Sequence, residues 1–513
     1  MKKLSLCVAT LAFAASAFAQ KSTDPEKYAK YITAEDARKH LSILASDEYE
    51  GRETGKPGAD KAANYIANEF KRLGLQAPVN GSYFLEVPLV ENSTKTTLSI
   101  NGQDLTNGKD FVISRGAVAD KSVGAAEVVF IGYGTDAEIG TTDLANKVLL
   151  WVNEDKPEAG KTPNTSYRLS TPRIQILKNL QSKNPALILA ANGEVANMLK
   201  RFGSTAMAAR LSIRADGVRP LNQQAAVLNI TTALADQLVK SSGKTYEEIK
   251  SAPVQTLKTD VKATIFTENK DVKAVDVLGF LPGTDLKDEV LVFSAHYDHI
   301  GLLSDPNAKD KVNNGADDDG SGTTGILEIA RAFTQAKKEG HGPRRSILFL
   351  GNVGEEKGLL GSEYYTEHPV FPLTSTITDL NIDMIGRVGF EYIGKPDSAN
   401  YVYTIGSAML SKELHQINED ANNKYTHLEQ DYKYDDPNDP NRFYYRSDHY
   451  NFAKHGVPII FYFNGVHADY HQPGDEVSKI NFPLLAKRAQ LVFYTGWELA
   501  NRDKRPVVDV QTK

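Results

Sequence analysis

The stretch SILFLGNVGEEKGLLGSEYY, Ser346 to Tyr365, runs from an unbroken apolar segment straight into two neighbouring glutamates. A short continuous apolar run suits a strand covered on both faces by helices, the situation of a central strand in a parallel sheet. Similar runs lie around it: AVDVLGFLPG and DEVLVFSAHYDH read as neighbouring strands, and LNIDMIG and VPIIFYF as two more. Between them, GTTGILEIARAFTQAKKEG puts Ile326, Ile329, Ala330 and Phe333 on one helical face. Alternating strands and helices predict an α/β fold, a mostly parallel central sheet flanked by helices, with its ligand site at the strand carboxyl ends.

Those ends collect acids and histidines. DEVLVFSAHYDH closes on His296 and Asp298, the next run on Glu355 and Glu356, and NIDMIG carries Asp383. NNGADDDGSG places Asp317, Asp318 and Asp319 before a helix, and His471 follows the VPIIFYF strand. In extended chain, residues two apart share a face, so Asp298 is expected to accept the ring proton of His296. Ionised carboxylates at the end of a buried strand require a helix N-terminus, basic side chains or a metal. Several of them on one sheet edge repel one another unless a cation intervenes. Imidazole nitrogens with carboxylate oxygens and no thiolate suit zinc or a similar divalent ion. Two such ions need a bridging carboxylate, for which the Asp triplet is a candidate. The triplet is not an EF-hand loop, because Ile326 stands where the closing Glu would be.

The whole chain agrees with a globular exported protein. Its 513 residues exceed one ordinary core, so two or three domains are expected. A hydrophobic share of 41%, a charged share of 24% and a net charge of -6 exclude the composition of a disordered chain and argue against a nucleic-acid partner. Residues 1–19 carry Lys2 and Lys3, an apolar run and the small-x-small pattern Ala17-Phe18-Ala19, which reads as a secretory signal peptide. That run is shorter than the roughly 20 residues of a spanning helix, and no later segment is long enough for one. Cys7 within it is the only cysteine, so the mature chain would hold no thiol and no disulfide. Near the start, Thr33 is a plausible N-cap with Asp36 three residues on, and Ala63, Ile66, Phe70 and Leu73 keep helical spacing. Short β-like runs mark 111–262 as an inserted, β-rich domain, leaving 20–110 and 263–513 as a discontinuous main domain.

The set His296-Tyr297-Asp298, GADDDGSG (Gly315 to Gly322), Glu355-Glu356, Asp383, Ser447-Asp448-His449 and His471 resembles, in order, the co-catalytic di-zinc aminopeptidases and carboxypeptidases. That family includes bacterial leucyl aminopeptidases and glutamate carboxypeptidase. The resemblance implies two Zn2+ ions. His296 and Asp383 would hold one, Glu356 and His471 the other, and Asp318, three before Ser321, would bridge. It also implies Glu355 as general base and Asp298 as the residue that orients His296. The implied activity is that of an exopeptidase, an aminopeptidase acting on the N-terminal residues of peptide substrates, exported to the periplasm or the medium. EVVFIGYG, DLANKVLLWV and PALILAA make the insert similar to a protease-associated domain.

The alternatives are few. A carboxypeptidase would need a cation for the substrate carboxylate, and Arg387 or Arg442 could serve. A single-zinc glutaminyl cyclase lacks ligands that are present here in His296 and Asp383. A non-catalytic binding protein would have lost ligands that this chain keeps. Neither G-x-S-x-G nor H-E-x-x-H occurs. His299, His449 and His467 stand close to these groups in sequence and are expected outside the metal shell. Asp435, Asp436 and Asp439 are expected in a solvated loop rather than at a further ion site.

Overall fold

The structure, a computed structural model, describes residues 24–510 apart from 115–119, 159, 161, 207–208, 215–223 and 306, and leaves aside the side chains of 203–206. The expected signal segment, with Cys7, lies outside the described residues. The chain forms two compact units, one running through Val87 and resuming at Ala274, the other Pro88–Lys273. The second unit is therefore wider than the expected 111–262. The unit changes at Val87/Pro88, inside strand Phe84–Ile100, and at Lys273/Ala274, inside strand Gln255–Leu281, so both changes fall within regular strands, where no turn residues mark them.

After a single helical turn, Glu26–Ala29, the main unit has helix α1 (Ala34–Leu44), whose cap is the one expected: the Thr33 hydroxyl accepts the Asp36 N–H at 3.1 Å. Helix α2 (Pro57–Leu73) starts with proline and ends at Gly74 in the left-handed region, and it buries Ala63, Ile66, Phe70 and Leu73. The sheet is built from the end of strand β1 (Gln255–Leu281), β2 (Leu286–His296), β3 (Arg345–Asn352), β4 (Thr376–Ile382), β5 (Tyr401–Ile405), β6 (Glu429–Asp431) and β7 (Ile459–Phe463), in the order β6-β5-β7-β4-β2-β3-β1. In its middle, β7, β4, β2 and β3 run parallel, with Ile382 opposite Tyr462, Ser294 opposite Asn381 and His296 opposite Asn352. Strand β1 pairs antiparallel with β3, as β5 does with β7. Every residue of β3, β4 and β7 is buried, as continuous apolar runs require.

Parallel pairing brings the carboxyl ends of β2, β3, β4 and β7 to one edge. The side chains that follow them in sequence become neighbours there. Helices α3 (Gly320–Lys338) and α4 (Phe482–Asn501) meet the sheet through aromatic rings: Phe293 stacks on Phe349 at 5.4 Å, lies 5.8 Å from Phe333, and Phe333 lies 4.9 Å from Phe493. At Gly496 a Cβ would come within 2.3 Å of the Phe293 ring, so only glycine lets α4 lie this close.

The Pro88–Lys273 unit has its own layers. Strands Lys121–Phe130, Val148–Val152, Leu187–Ala191 and Val227–Ile230 are parallel neighbours, and Phe111–Ile113 closes one edge antiparallel. Its core holds Phe130, Leu150, Leu189 and Leu228. It carries helices too, Thr171–Ser182 and Thr232–Val239 among them. Replacing Phe293 of the main unit by Ala is expected to cost about 3–5 kcal/mol of stability, read from urea unfolding, because the ring is fully buried against those of Phe333 and Phe349.

Candidate metal centre and active site

The site is assembled at the sheet edge just described. Strand β2 delivers His296 at its last position, β4 delivers Asp383 immediately after its end, and the turn after β3 carries Glu355 and Glu356. The Asp triplet precedes α3, and each of its members does different work. Asp319 caps α3 by accepting the Gly322 N–H and also takes the N–H groups of Met384 and His296, which ties three chain segments together. Asp317 accepts the Ser321 hydroxyl and the Gly386 N–H. Asp318 alone is left to face the cluster.

Its two oxygens face two groups. Oδ1 is 3.4 Å from His296 Nε2, which is itself 3.6 Å from Asp383 Oδ1. Oδ2 is 3.1 Å from His471 Nε2, which is 3.1 Å from Glu356 Oε2. Glu355 Oε2 lies 3.8 Å from His296 Nε2, beside the first group. Asp383 is aimed by Ser447, whose hydroxyl donates to Oδ2 at 2.7 Å and leaves Oδ1 to the cluster. Backbone N–H groups of Asp317 and Asp318 both donate to Asp475 Oδ2, which fixes the triplet loop.

Burial and charge oppose each other throughout. Burial, partly offset by His296, holds the Glu355 carboxyl well above its ordinary value, and Glu356 and Asp383 add to that push. Burial also raises Asp383. Burial works against the charge of Asp318 as well, yet His296 and His471 hold it well below the carboxylate range. Against the lowering effect of burial, Asp318 and Glu356 push His471 up to about 10. A histidine so avid for positive charge marks a site short of cations. Short contacts here are not hydrogen bonds: His296 Nε2, Asp318 Oδ2 and Glu356 Oε1 are buried and have no hydrogen-bond partner. Orphaned imidazole nitrogens and carboxylate oxygens that converge without bonding one another fit a divalent cation, and imidazole with carboxylate is a donor set that suits zinc.

Three expectations change. The Asp298 carboxylate does not orient His296: the ring Nδ1 is 3.1 Å from the backbone carbonyl of Asp298 and 3.8 Å from its carboxylate. The extended chain ends at His296, so the rule that residues two apart share a face stops applying there. The carboxylate instead accepts the Thr54 hydroxyl at 2.6 Å and the Glu355 N–H at 3.2 Å, and thereby positions the Glu355 turn. His299, expected outside the metal shell, lies inside the cluster, with Nδ1 2.9 Å from Glu356 Oε1. The histidine signal was present in HYDH, but the turn after β2 decides its direction. Arg387 is not free for a substrate carboxylate, since it pairs with Asp469 at 2.8 Å; Arg442 is exposed, its guanidinium over the Tyr445 ring.

Other expectations agree with the geometry. His449 is buried against Phe461 and bonds to the Tyr444 carbonyl, and burial drops its pKa to about 3. His467 contacts Asp317 at 3.2 Å and Asp475 at 4.0 Å. Asp436 and Asp439 accept backbone N–H groups within their own loop, whereas Asp435 departs from the expected solvated position: it accepts the Gly406 N–H from the segment after β5, and burial raises its pKa to about 6. Beside the acids lies a small pocket with an apolar wall of Met384, Phe443, Phe461, Phe463 and Val466, with Arg446 and Tyr470 also on its lining. A roomier cleft of about 500 Å³ in the Pro88–Lys273 unit, lined by Trp151, Tyr167 and Met198, has neither histidine nor carboxylate on its wall.

A missed residue of another kind is Arg52. Fully buried, it donates to the carbonyls of Tyr297, Leu44, Asn314 and Gly315 and so clamps the β2 end to the triplet loop. Arg52→Ala would leave those carbonyls unpaired and is expected to cost about 3 kcal/mol or more in urea unfolding. Treatment with a chelator is expected to lower the thermal midpoint and added zinc to restore it, since a cation at a hundred times its Kd contributes about 2.7 kcal/mol. An unchanged midpoint would mean that the cluster binds no ion.

Comparison with known proteins points the same way. Residues 276–496 match the model of Peptidase family M28. A probable leucine aminopeptidase 2 of Aspergillus oryzae is 30% identical over 193 residues, 33% of this chain and 35% of its own length. Leucine aminopeptidase 2 of Trichophyton equinum is 25% identical over 288 residues, 51% of this chain and 52% of its own. The chain thus spans between a third and about half of these relatives. An aminopeptidase from Aneurinibacillus sp. strain AM-1 has a similar fold, with a TM-score of 0.54 at 19% identity, covering 95% of this chain and 99% of that one. The acid–histidine edge and the span that is similar to Peptidase family M28, residues 276–496, fall on the same strands.

Proposed function

We infer that this protein is a zinc-dependent aminopeptidase with two co-catalytic ions. The observation that carries the reading is Asp318, whose two oxygens face separate acid–histidine groups while Glu355 stands beside them unused by either. His296 and Asp383 would hold one ion, Glu356 and His471 the other, and Asp318 would be shared. Bound there, zinc lowers the pKa of water to about 7 and polarises a carbonyl oxygen.

The remaining work falls to the chain's own side chains. Glu355 takes the proton from the attacking water and returns it to the departing amine. Asp298, through the Glu355 N–H, holds that carboxylate in place. Ser447 keeps Asp383 from turning away. The substrate's side chain enters the apolar wall of Met384, Phe443, Phe461 and Phe463, and its free amino group meets the surrounding acids. Export rests on residues 1–19; among the described residues no helix is long and apolar enough to cross a membrane. The Pro88–Lys273 unit is read as the protease-associated accessory.

A carboxypeptidase reading would rest on Arg446, which lines the pocket and donates to Tyr470. Hydrolysis of aminoacyl amides together with failure on the N-blocked series supports the aminopeptidase; cleavage of N-blocked peptides from the carboxyl end overturns it. Glu355→Gln is expected to keep its zinc while kcat falls about a hundredfold to ten-thousandfold.

A further inference from the structure

His299 is not used by the mechanism just given, yet nothing about its surroundings is casual. Its ring is completely buried, and its main chain is pinned by a bond from its N–H to the Arg52 carbonyl. The ring lies flat against Gly315: a Cβ there would stand 2.5 Å from His299 Cγ and 2.6 Å from Cδ2. Gly315 has a φ of +57°, so both its conformation and its missing side chain serve this packing. The imidazole has no room to turn away.

In that fixed position Nδ1 is 2.9 Å from Glu356 Oε1 and 3.8 Å from Asp318 Oδ2. A contact of 2.9 Å between an imidazole and a carboxylate would ordinarily be a hydrogen bond. Here it is not aligned as one, and Nδ1, Glu356 Oε1 and Asp318 Oδ2 are all left without a partner. Donor atoms that approach closely but aim past one another share a point between them. His299 Nδ1, Asp318 Oδ2 and Glu356 fall within one group of mutually close ligand atoms, as His296, Asp318 and Asp383 do on the other side.

We propose that His299 is a ligand of the ion held by Glu356 and His471, so that the two halves of the centre are unequal. This rests on the di-zinc reading above. The half with His299 offers donors from His299, His471, Glu356 and Asp318, a full tetrahedral set from protein alone. The other half offers His296, Asp383 and Asp318, which leaves a position open to water. The closed half retains its ion more tightly, and the open half is the exchangeable one. His299 in this role secures the metal and does no proton transfer.

The test is a metal count. Zinc-loaded wild type and His299→Gln, each shown to be folded by circular dichroism, are dialysed against rising chelator and the retained zinc is measured. The expected wild-type record has two steps; in His299→Gln the tighter step moves by at least tenfold in chelator and the weaker step stays. Two unchanged steps in a folded variant overturn the proposal while leaving the di-zinc reading intact, whereas a wild type that takes up no zinc overturns both. Should the variant fail to fold, diffraction from the zinc-loaded wild type at the zinc edge decides. Nδ1 at about 2.0–2.1 Å from an ion supports the assignment, and Nδ1 beyond bonding distance, donating its proton to Glu356, overturns it.

Discussion

The arrangement depends on one carboxylate in a place where carboxylates are costly. Asp318 is almost wholly buried, at 3% exposure, within reach of His296 on one oxygen and His471 on the other. Around it stand Glu355, Glu356 and Asp383, all withdrawn from water to different degrees. In a low-dielectric pocket such charges repel strongly, and imidazoles alone do not offset them. A divalent cation held among these donors would resolve that conflict. The same conflict explains why the donors' shortest contacts are not hydrogen bonds.

Holding these groups against their repulsion takes a second ring of interactions that never face the cluster. Asp319 gathers N–H groups from α3, from β2 and from the segment after β4. Asp475 reaches back from the His471 loop to the backbone of the triplet. Arg52, from a loop near the start of the chain, binds carbonyls on both sides of the metal edge. The placement of Asp318 is therefore set by main-chain hydrogen bonds from sequentially distant segments, and its charge is left free for the site.

Much of this was legible residue by residue. The runs VLVFSAH, SILFLGN and VPIIFYF read as buried strands because they are short, continuous and mostly apolar, and the polar residues at and after their ends had to lie at one edge if the strands were parallel. The triplet as a whole was legible as a candidate, and the family resemblance singled out its middle acid, three before Ser321. What misled was local geometry just beyond a strand. The alternation that puts Asp298 beside His296 holds only while the chain stays extended, and it stops at His296 itself. The same turn swings His299 inward, which no periodicity could indicate. Unit boundaries were hidden for a related reason, since they fall within strands rather than at turns.

By itself the amino-acid order determined which side chains could carry the chemistry and that they would gather at strand ends, because hydrophobic runs and turn residues act locally. Which oxygen of Asp318 faces which histidine, what Asp298 holds, and where the His299 ring points were decided only by tertiary structure. Those directions come from hydrogen bonds and packing between segments hundreds of residues apart, such as Arg52 with Asn314 and Gly315. No pattern within one segment encodes them.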